Sequence, residues 1–326
     1  MTKQRHDYDP NAYNPEFSRA YLAPKYWGTW LMLLAALPIC LLVPVRAKYR
    51  FAQWIAKKLV KKQTGTILNA WLNLEACFPE QSEQAREAIL VETLTTAGAF
   101  LLHFPLITLR SRQWLQHHSD VIGMEHITRH TDNGEPVILF VPHTWAIDAA
   151  AILFASQGLP VAAFSKRQKN RLLDWLMHRQ RVQYGGNCYE REAGIKPFIR
   201  AVKRGFLGYY LPDEDMRDES SEFVPFFSTT KATLPSLGKL SKVTRSHIVP
   251  VLSGFDAQTG RFVIEVHPSL NGFPTGGSHS DARMMNQHIE TMLDGKLDQY
   301  MWILQLLRTR EDGRNIYQEA KRKRAS

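Results

Sequence analysis

Cysteine is scarce in this 326-residue chain: three residues, Cys40, Cys77 and Cys188, lie far apart. So few and so scattered thiols give neither a disulfide framework nor a zinc-ligand spacing. No Walker-type glycine-rich loop and no G-x-G-x-x-G dinucleotide turn occurs. No G-x-S-x-G elbow presents a serine, so covalent catalysis through Ser or Cys has no support in the sequence. Internal repeats and low-complexity tracts are absent, and no nucleic-acid-binding module is recognisable. Acidic residues are outnumbered, 31 against 41 Lys and Arg, which leaves a net charge of +10. That surplus favours anionic partners such as phospholipid headgroups or phosphorylated substrates, with nucleic acid as the rival.

Charge is missing altogether from residues 27–45, WGTWLMLLAALPICLLVPV. Their number is about the roughly 20 residues a helix needs to cross the hydrocarbon core. Tyr26, Trp27 and Trp30 crowd one end, as an interfacial belt does. A long polar lead and the lack of a small-x-small site speak against a cleavable signal. Pro38 and Pro44 leave open a kinked span, a shorter helix turned back to the surface, or a core segment. The flank that follows is basic, with Arg46, Lys48, Arg50, Lys57, Lys58, Lys61 and Lys62, and this places it on the cytoplasmic side. The same residues, interleaved with Phe51, Trp54, Ile55, Leu59 and Val60, make a basic amphipathic helix suited to anionic lipid.

The chain divides into an irregular arm (1–25), a membrane anchor (26–45), a helical membrane-proximal region (46–120), an α/β domain (121–312) and a loose basic tail (313–326). Within 46–120, Gly and Pro are sparse and Ile67, Trp71 and Leu74 recur at helical spacing. A break at Cys77-Phe78-Pro79-Glu80 precedes a new helix capped by Ser82. Beyond 121, strands are expected at 137–141, 161–164, 206–211, 247–252 and 262–266. Helices are expected at 147–157, 170–184, 194–203, 232–242, 282–294 and 299–307. The alternation implies an α/β fold: a mostly parallel central sheet covered by helices, behind an N-terminal membrane-anchoring helical region.

The apolar run 137–141 stops at His143, and Asp148 follows five positions later. His143 thus sits where a strand's carboxyl end turns into a helix, the usual place for a site in an open α/β sheet. Histidine moves protons near neutral pH, and a neighbouring carboxylate fixes its tautomer. The bland alternative is a satisfied loop His and an Asp favoured by the helix dipole. A second cluster, Asp213-Glu214-Asp215, ends another strand-like run and by the same logic lies beside His143. It can ligate a divalent metal, supply one carboxylate to His143, pair with an Arg, or simply be solvated. A metal-dependent glycosyltransferase using Asp213 and Asp215 is therefore one alternative function, and a non-enzymatic lipid-surface protein another. Arg181 and Arg191 suit phosphate anchoring, or are ordinary surface residues.

With these residues in place, the chain resembles the late acyltransferases of lipid A biosynthesis, within the glycerolipid acyltransferases marked by His-x4-Asp/Glu. The resemblance runs over nearly the whole chain. It is carried by Tyr26–Trp30, Cys77-Phe78-Pro79-Glu80, Val141–Asp148, Gly194–Ile199, Gly208–Asp213, Lys231-Ala232-Thr233-Leu234-Pro235 and Gln299-Tyr300 with Trp302-Ile303-Leu304. It looks closest to the myristoyltransferase branch. It implies an inner-membrane enzyme with its catalytic domain facing the cytoplasm, needing no cofactor or metal. The reaction implied is transfer of a lauroyl or myristoyl chain from acyl carrier protein to a 3-hydroxyacyl hydroxyl of a Kdo-bearing lipid A precursor. His143 would be the general base, oriented by Asp148, with backbone N–H groups near the helix start holding the oxyanion. Arg181, Arg191 and Asp213 would bind substrate or support the site. Many relatives have Tyr-Arg and then Asn-Pro where this chain has Ser165-Lys166-Arg167 and Asn170-Arg171, which brings Lys166 and Asn170 into the same group. Asp148 stands where many relatives have Glu.

Overall fold

Strand β2, Val137–Phe140, has every residue buried. Ile138 and Phe140 belong to one apolar layer and Val137 and Leu139 to the other. This two-residue alternation marks a strand covered on both faces. The computed structural model of the chain describes residues 9–325. With β2, a seven-stranded sheet contains β1 (Ser119–Ile122), β3 (Val161–Ser165), β4 (Asn187–Glu190), β5 (Leu207–Tyr210), β8 (His247–Asp256) and β9 (Arg261–Val266). Its order is β1-β9-β8-β2-β5-β3-β4, and all neighbours are parallel except β8 and β9. An antiparallel hairpin, β6 (Glu222–Phe226) and β7 (Thr229–Thr233), stands apart from it. The mostly parallel α/β architecture is as the sequence implies.

Among the described residues, six α-helices precede the sheet: α1 (Trp27–Leu42), α2 (Val45–Val60), α3 (Thr66–Cys77), α4 (Glu83–His103), α5 (Leu106–Leu109) and α6 (Arg112–His117). Seven follow: α7 (Glu125–Thr131), α8 (Ile147–Ser156), α9 (Arg171–Arg181), α10 (Lys196–Lys203), α11 (Ser236–Thr244), α12 (Ser278–Met292) and α13 (Ile316–Ala325). Ser82 does cap α4, accepting from the Ala85 amide. Gly208, on β5, is dictated by packing: a Cβ there would come within 2.9–3.0 Å of Val202, Ile138 and Phe198.

Several expectations are corrected, and two strands were not foreseen. Residues 232–233 belong to β7, and the helix begins only at Ser236. Threonines 229, 230 and 233 favour extended backbone, and Pro235 keeps the preceding residue out of helix. The helix expected over 299–307 does not form: Gln299 ends a 3-10 turn (Leu297–Gln299), Tyr300 makes an isolated bridge and turns follow, because this backbone is engaged elsewhere. Met301 N–H donates to His143 O, Gln299 O accepts from Trp145 N–H, and Trp302 O and Leu304 O accept from the Asn73 amide. The short edge strands β1 and β4 fall on polar sequence, Ser-Asp-Val-Ile and Asn-Cys-Tyr-Glu, where periodicity gives little signal. The basic tail is not loose: it forms α13, whose Tyr317 has no exposed surface and donates its hydroxyl to Asn73.

The charge-free segment forms α1 with Pro38 inside it, and Pro44 then starts α2 as a second arm. Residues 24–42 and 83–109 are helical stretches long and apolar enough to cross a membrane by length and composition, and the first is only 11% buried in the protein. Leu31, Leu34 and Leu42 lie open on α1. On α2, Lys48, Ala52, Ala56 and Val60 form the inward stripe at four-residue spacing, while Phe51 and Trp54 face out. Lys48, expected on the lipid-facing flank, is instead buried, and its Nζ donates to Cys40 O at 2.7 Å. The first eight residues of the expected arm lie outside the described residues. The rest is not wholly irregular, since Arg19–Leu22 and Pro24–Tyr26 form 3-10 turns, the first capped by Ser18, and it is docked: Tyr13 N–H donates to Cys188 O on β4, and Phe17 packs edge-on against Trp175 of α9.

Candidate active site

Parallel pairing of β2 and β5 sets Phe140 opposite Tyr210. Three residues beyond each partner stand His143 and Asp213. The register therefore delivers an imidazole and a carboxylate to the same place, at the carboxyl ends of adjacent strands. His143 Nδ1 lies 2.6 Å from Asp213 Oδ1, and the His143 backbone N–H donates to Asp213 Oδ2 at 2.8 Å. Asp213 has a fully buried side chain, whereas that of His143 is 15% exposed. A carboxylate can only accept, so Nδ1 carries the proton and Nε2 is left with its lone pair. Burial pushes the His143 imidazolium down, but the Asp213 charge and hydrogen bond, aided by Glu214, outweigh it and hold the pKa above its ordinary value. Burial likewise raises Asp213, and the contacts with His143 together with the Lys231 charge bring it below the usual carboxylate range.

Asp148 does not orient His143. It opens α8 and is gripped by Arg181 from the last turn of α9, whose Nε donates to both carboxylate oxygens at 3.0 and 3.1 Å while Nη2 donates to Oδ2 at 3.0 Å. The fork geometry suits a guanidinium and a carboxylate, so Asp148 finds its partner there. The Asp148 charge holds Arg181 firmly protonated against its burial.

His143, Asp148, Arg181, Lys166 and Arg191 line one cleft of about 210 Å³. Its walls include Ile147, Ala151, Phe164, Cys188, Tyr209 and Leu211, so an apolar slot meets a charged mouth. Arg191 is exposed and donates to Glu214 at 3.0 Å. The floor is held rigidly. Thr144 bridges to Tyr300, the Thr144 hydroxyl donates to Ser253 O at 2.5 Å, and Tyr209 donates to Ile147 O at 2.5 Å. Tyr300 is fully buried beside Asp213, though its hydroxyl meets no hydrogen-bond geometry. Asn170 does another job: it caps α9, accepting from Leu172 and Leu173 N–H, and its amide donates to Thr29 of α1 at 2.8 Å.

Asp213 and Asp215 do not act as a pair. The Asp215 oxygens accept from Thr309 N–H, the Thr309 hydroxyl and Arg217 N–H, and both Asp213 oxygens are taken by His143. A metal chelate needing Asp-x-Asp would have to compete with both sets. Among the described residues, His130, Glu135 and His247 do come close enough together to share an ion, at the opposite ends of the strands. Their two imidazoles stack with ring centres 3.9 Å apart at 15°, so an ion between them would lie out of both ring planes, away from the nitrogen lone pairs. What the His143 cleft offers is a neutral base with an unspent Nε2, an apolar slot and a basic rim. That set suits proton abstraction from a hydroxyl on an amphiphilic anionic substrate.

Comparison with known proteins finds relatives over nearly the whole chain. Residues 14–309 match the family model of the bacterial lipid A biosynthesis acyltransferases. A lipid A biosynthesis acyltransferase of Haemophilus influenzae is 40% identical over 310 residues, covering 94% of this chain and 95% of that protein. The lipid A biosynthesis myristoyltransferase of Escherichia coli is 40% identical over 307 residues, covering 92% and 93%. The lauroyltransferase of the same organism is 28% identical over 302 residues, covering 92% and 97%.

Proposed function

The chain belongs to the family of bacterial lipid A biosynthesis acyltransferases, and on that premise we propose that His143 is the general base of a direct acyl transfer onto a lipid A precursor. The donor is an acyl carrier protein thioester carrying a lauroyl or myristoyl chain, and the acceptor is a 3-hydroxyacyl hydroxyl of a Kdo-bearing precursor. The acceptor O–H gives its proton to His143 Nε2 as its oxygen attacks the thioester carbonyl. The new C–O bond forms, the C–S bond breaks, and the departing thiolate recovers the proton from His143. No acyl-enzyme forms, so no Ser or Cys nucleophile is required. Asp213 holds the ring in the productive tautomer and steadies the imidazolium, as the carboxylate of a triad does. The positive end of α8 favours the developing oxyanion.

The observation that carries this reading is the His143–Asp213 bond at 2.6 Å on the wall of the cleft. The Asp148–Arg181 unit, with Arg191 and Lys166, supplies cationic contacts for the acceptor's phosphates at the same wall. The exposed apolar face of α1 and the basic, aromatic outer face of α2 support a seat at the inner membrane, with the catalytic domain on the cytoplasmic side facing its acyl carrier protein donor. Acyl transfer in detergent micelles tests it, with products read by mass, for the wild type and for His143→Ala, with and without EDTA. A gain of one acyl group in the wild type, unaffected by EDTA and abolished in the variant, is expected. Transfer that survives His143→Ala refutes the assignment of the base.

A further inference from the structure

Lys166 and Gln168 line the cleft from the loop 166–170, which joins β3 to α9. Long side chains on a connecting loop place their heads only as firmly as the loop itself is held. Here the restraint comes from the N-terminal arm and from α1. Gln168 N–H donates to Asp174 Oδ1 at 2.6 Å, and the Tyr13 hydroxyl donates to Asp174 Oδ2. The Asp174 side chain is 6% exposed, and the Arg171 guanidinium stands 3.8 Å from it. A carboxylate with so little water depends on such donors. The Arg167 guanidinium lies 4.9 Å from the centre of the Tyr13 ring and donates to Glu190 at 2.6 Å. At the other end of the loop, Asn170 Nδ2 donates to Thr29 Oγ1, in the first turn of α1, at 2.8 Å.

Tyr13 is itself held. Its N–H donates to Cys188 O at 2.7 Å, and its ring meets His178 of α9 edge-on, with ring centres 5.4 Å apart. The arm is also fastened on either side of Tyr13. Asp9 accepts from Tyr189 at 3.0 Å and from Arg204 at 2.9 Å, while Trp30 Nε1 of α1 donates to Tyr21 O at 2.9 Å. Arm, α1 and loop 166–170 thus form one connected strip that ends on the cleft wall. Resting on the reading of Lys166 as an acceptor contact, we propose that Tyr13 and Thr29 are positioning residues, which hold the loop 166–170 so that Lys166 and Gln168 stand ready for the phosphorylated acceptor. Neither Tyr13 nor Thr29 lines the cleft: Tyr13 acts through Asp174, and Thr29 acts through Asn170.

The test is steady-state kinetics in the micelle assay with the full chain, each substrate varied in turn. Tyr13→Phe and Thr29→Val each remove one hydroxyl and keep the shape, whereas Thr29→Ser keeps the hydroxyl. Thermal unfolding identifies the folded variants. KM for the acceptor is expected to rise roughly three- to tenfold in Tyr13→Phe and in Thr29→Val, the scale of one net hydrogen bond. kcat and the KM for the acyl carrier protein thioester should hold, and Thr29→Ser should match the wild type. The pair Lys166→Ala, Gln168→Ala should raise the acceptor KM by itself. In that background Tyr13→Phe should add nothing, because the groups it places are gone. A folded Tyr13→Phe or Thr29→Val enzyme with the wild-type acceptor KM overturns the proposal. A rise that persists undiminished in the Lys166→Ala, Gln168→Ala background overturns it too, as does a fall in kcat with no change in KM. A wild-type acceptor KM in Tyr13→Phe beside a raised one in Lys166→Ala, Gln168→Ala defeats this inference alone. A wild-type acceptor KM in Lys166→Ala, Gln168→Ala defeats the acceptor contact beneath it.

Discussion

The ring proton of His143 stays on Nδ1 while Asp213 remains ionised, and the reactivity of Nε2 depends on that. The base works only when neutral. Because the His143 pKa is held above its ordinary value, kcat/KM should fall on the acid side with a midpoint above about 6.5. A pH–rate profile checks this, and a midpoint below that value would count against the Asp213 contact. Asp213→Asn leaves the shape nearly intact but removes the acceptor's charge, and it should lower kcat by about 10²–10⁴-fold. Asp148→Asn should cost less in kcat and raise KM for the phosphorylated acceptor, because it loosens Arg181 without touching the base. Steady-state kinetics of the two variants side by side separates these roles. His143 was legible as the residue after an apolar run. Asp213 was legible only as one of several options. What chooses between Asp213 and Asp148 is the pairing of Phe140 with Tyr210 and the reach of Arg181, 33 residues beyond Asp148 in the chain. No local pattern records either.

Among the elements, those with strong apolar periodicity were readable in outline, from β2 and α8 to β8 and α12, because burial on one or both faces stamps a period on the sequence. Elements whose fate depends on distant partners were not. The segment after Gln299 carries the apolar content of a helix, yet its carbonyls are drawn away by Asn73 of α3. Asn73 has no exposed surface, and it also accepts from the Tyr317 hydroxyl. Asn73→Ala leaves two carbonyls without their donor and the Tyr317 O–H without its acceptor. It should destabilise the fold by about 3 kcal/mol or more, each of the three orphaned buried groups costing about 1–3. Denaturant unfolding in detergent measures it, and a loss under about 0.5 kcal/mol would mean that water replaces the amide.

For the whole molecule, the exposed leucines of α1 and the net charge of +10 act on the same kind of surface. Leaving Leu31 and Leu34 in water forgoes about 1.5–3 kcal/mol apiece. The full chain should therefore sediment with anionic vesicles more than with neutral ones. Replacing Lys57, Lys58, Lys61 and Lys62 by Glu should remove that preference, and the double change Leu31→Asp, Leu34→Asp should weaken binding to both kinds of vesicle. Equal binding of all variants would place the contact elsewhere. The clasp on the His143 loop carries a consequence of another kind. His143 emerges from the ribosome well before the residues that bridge to its loop, Gln299 to Met301, have been made. Until they arrive, the nascent protein has a base whose loop lacks its main-chain clasp. Synthesis itself thus imposes an order of events in which the membrane arm is ready first and the chemistry last, so a chain released early is inert.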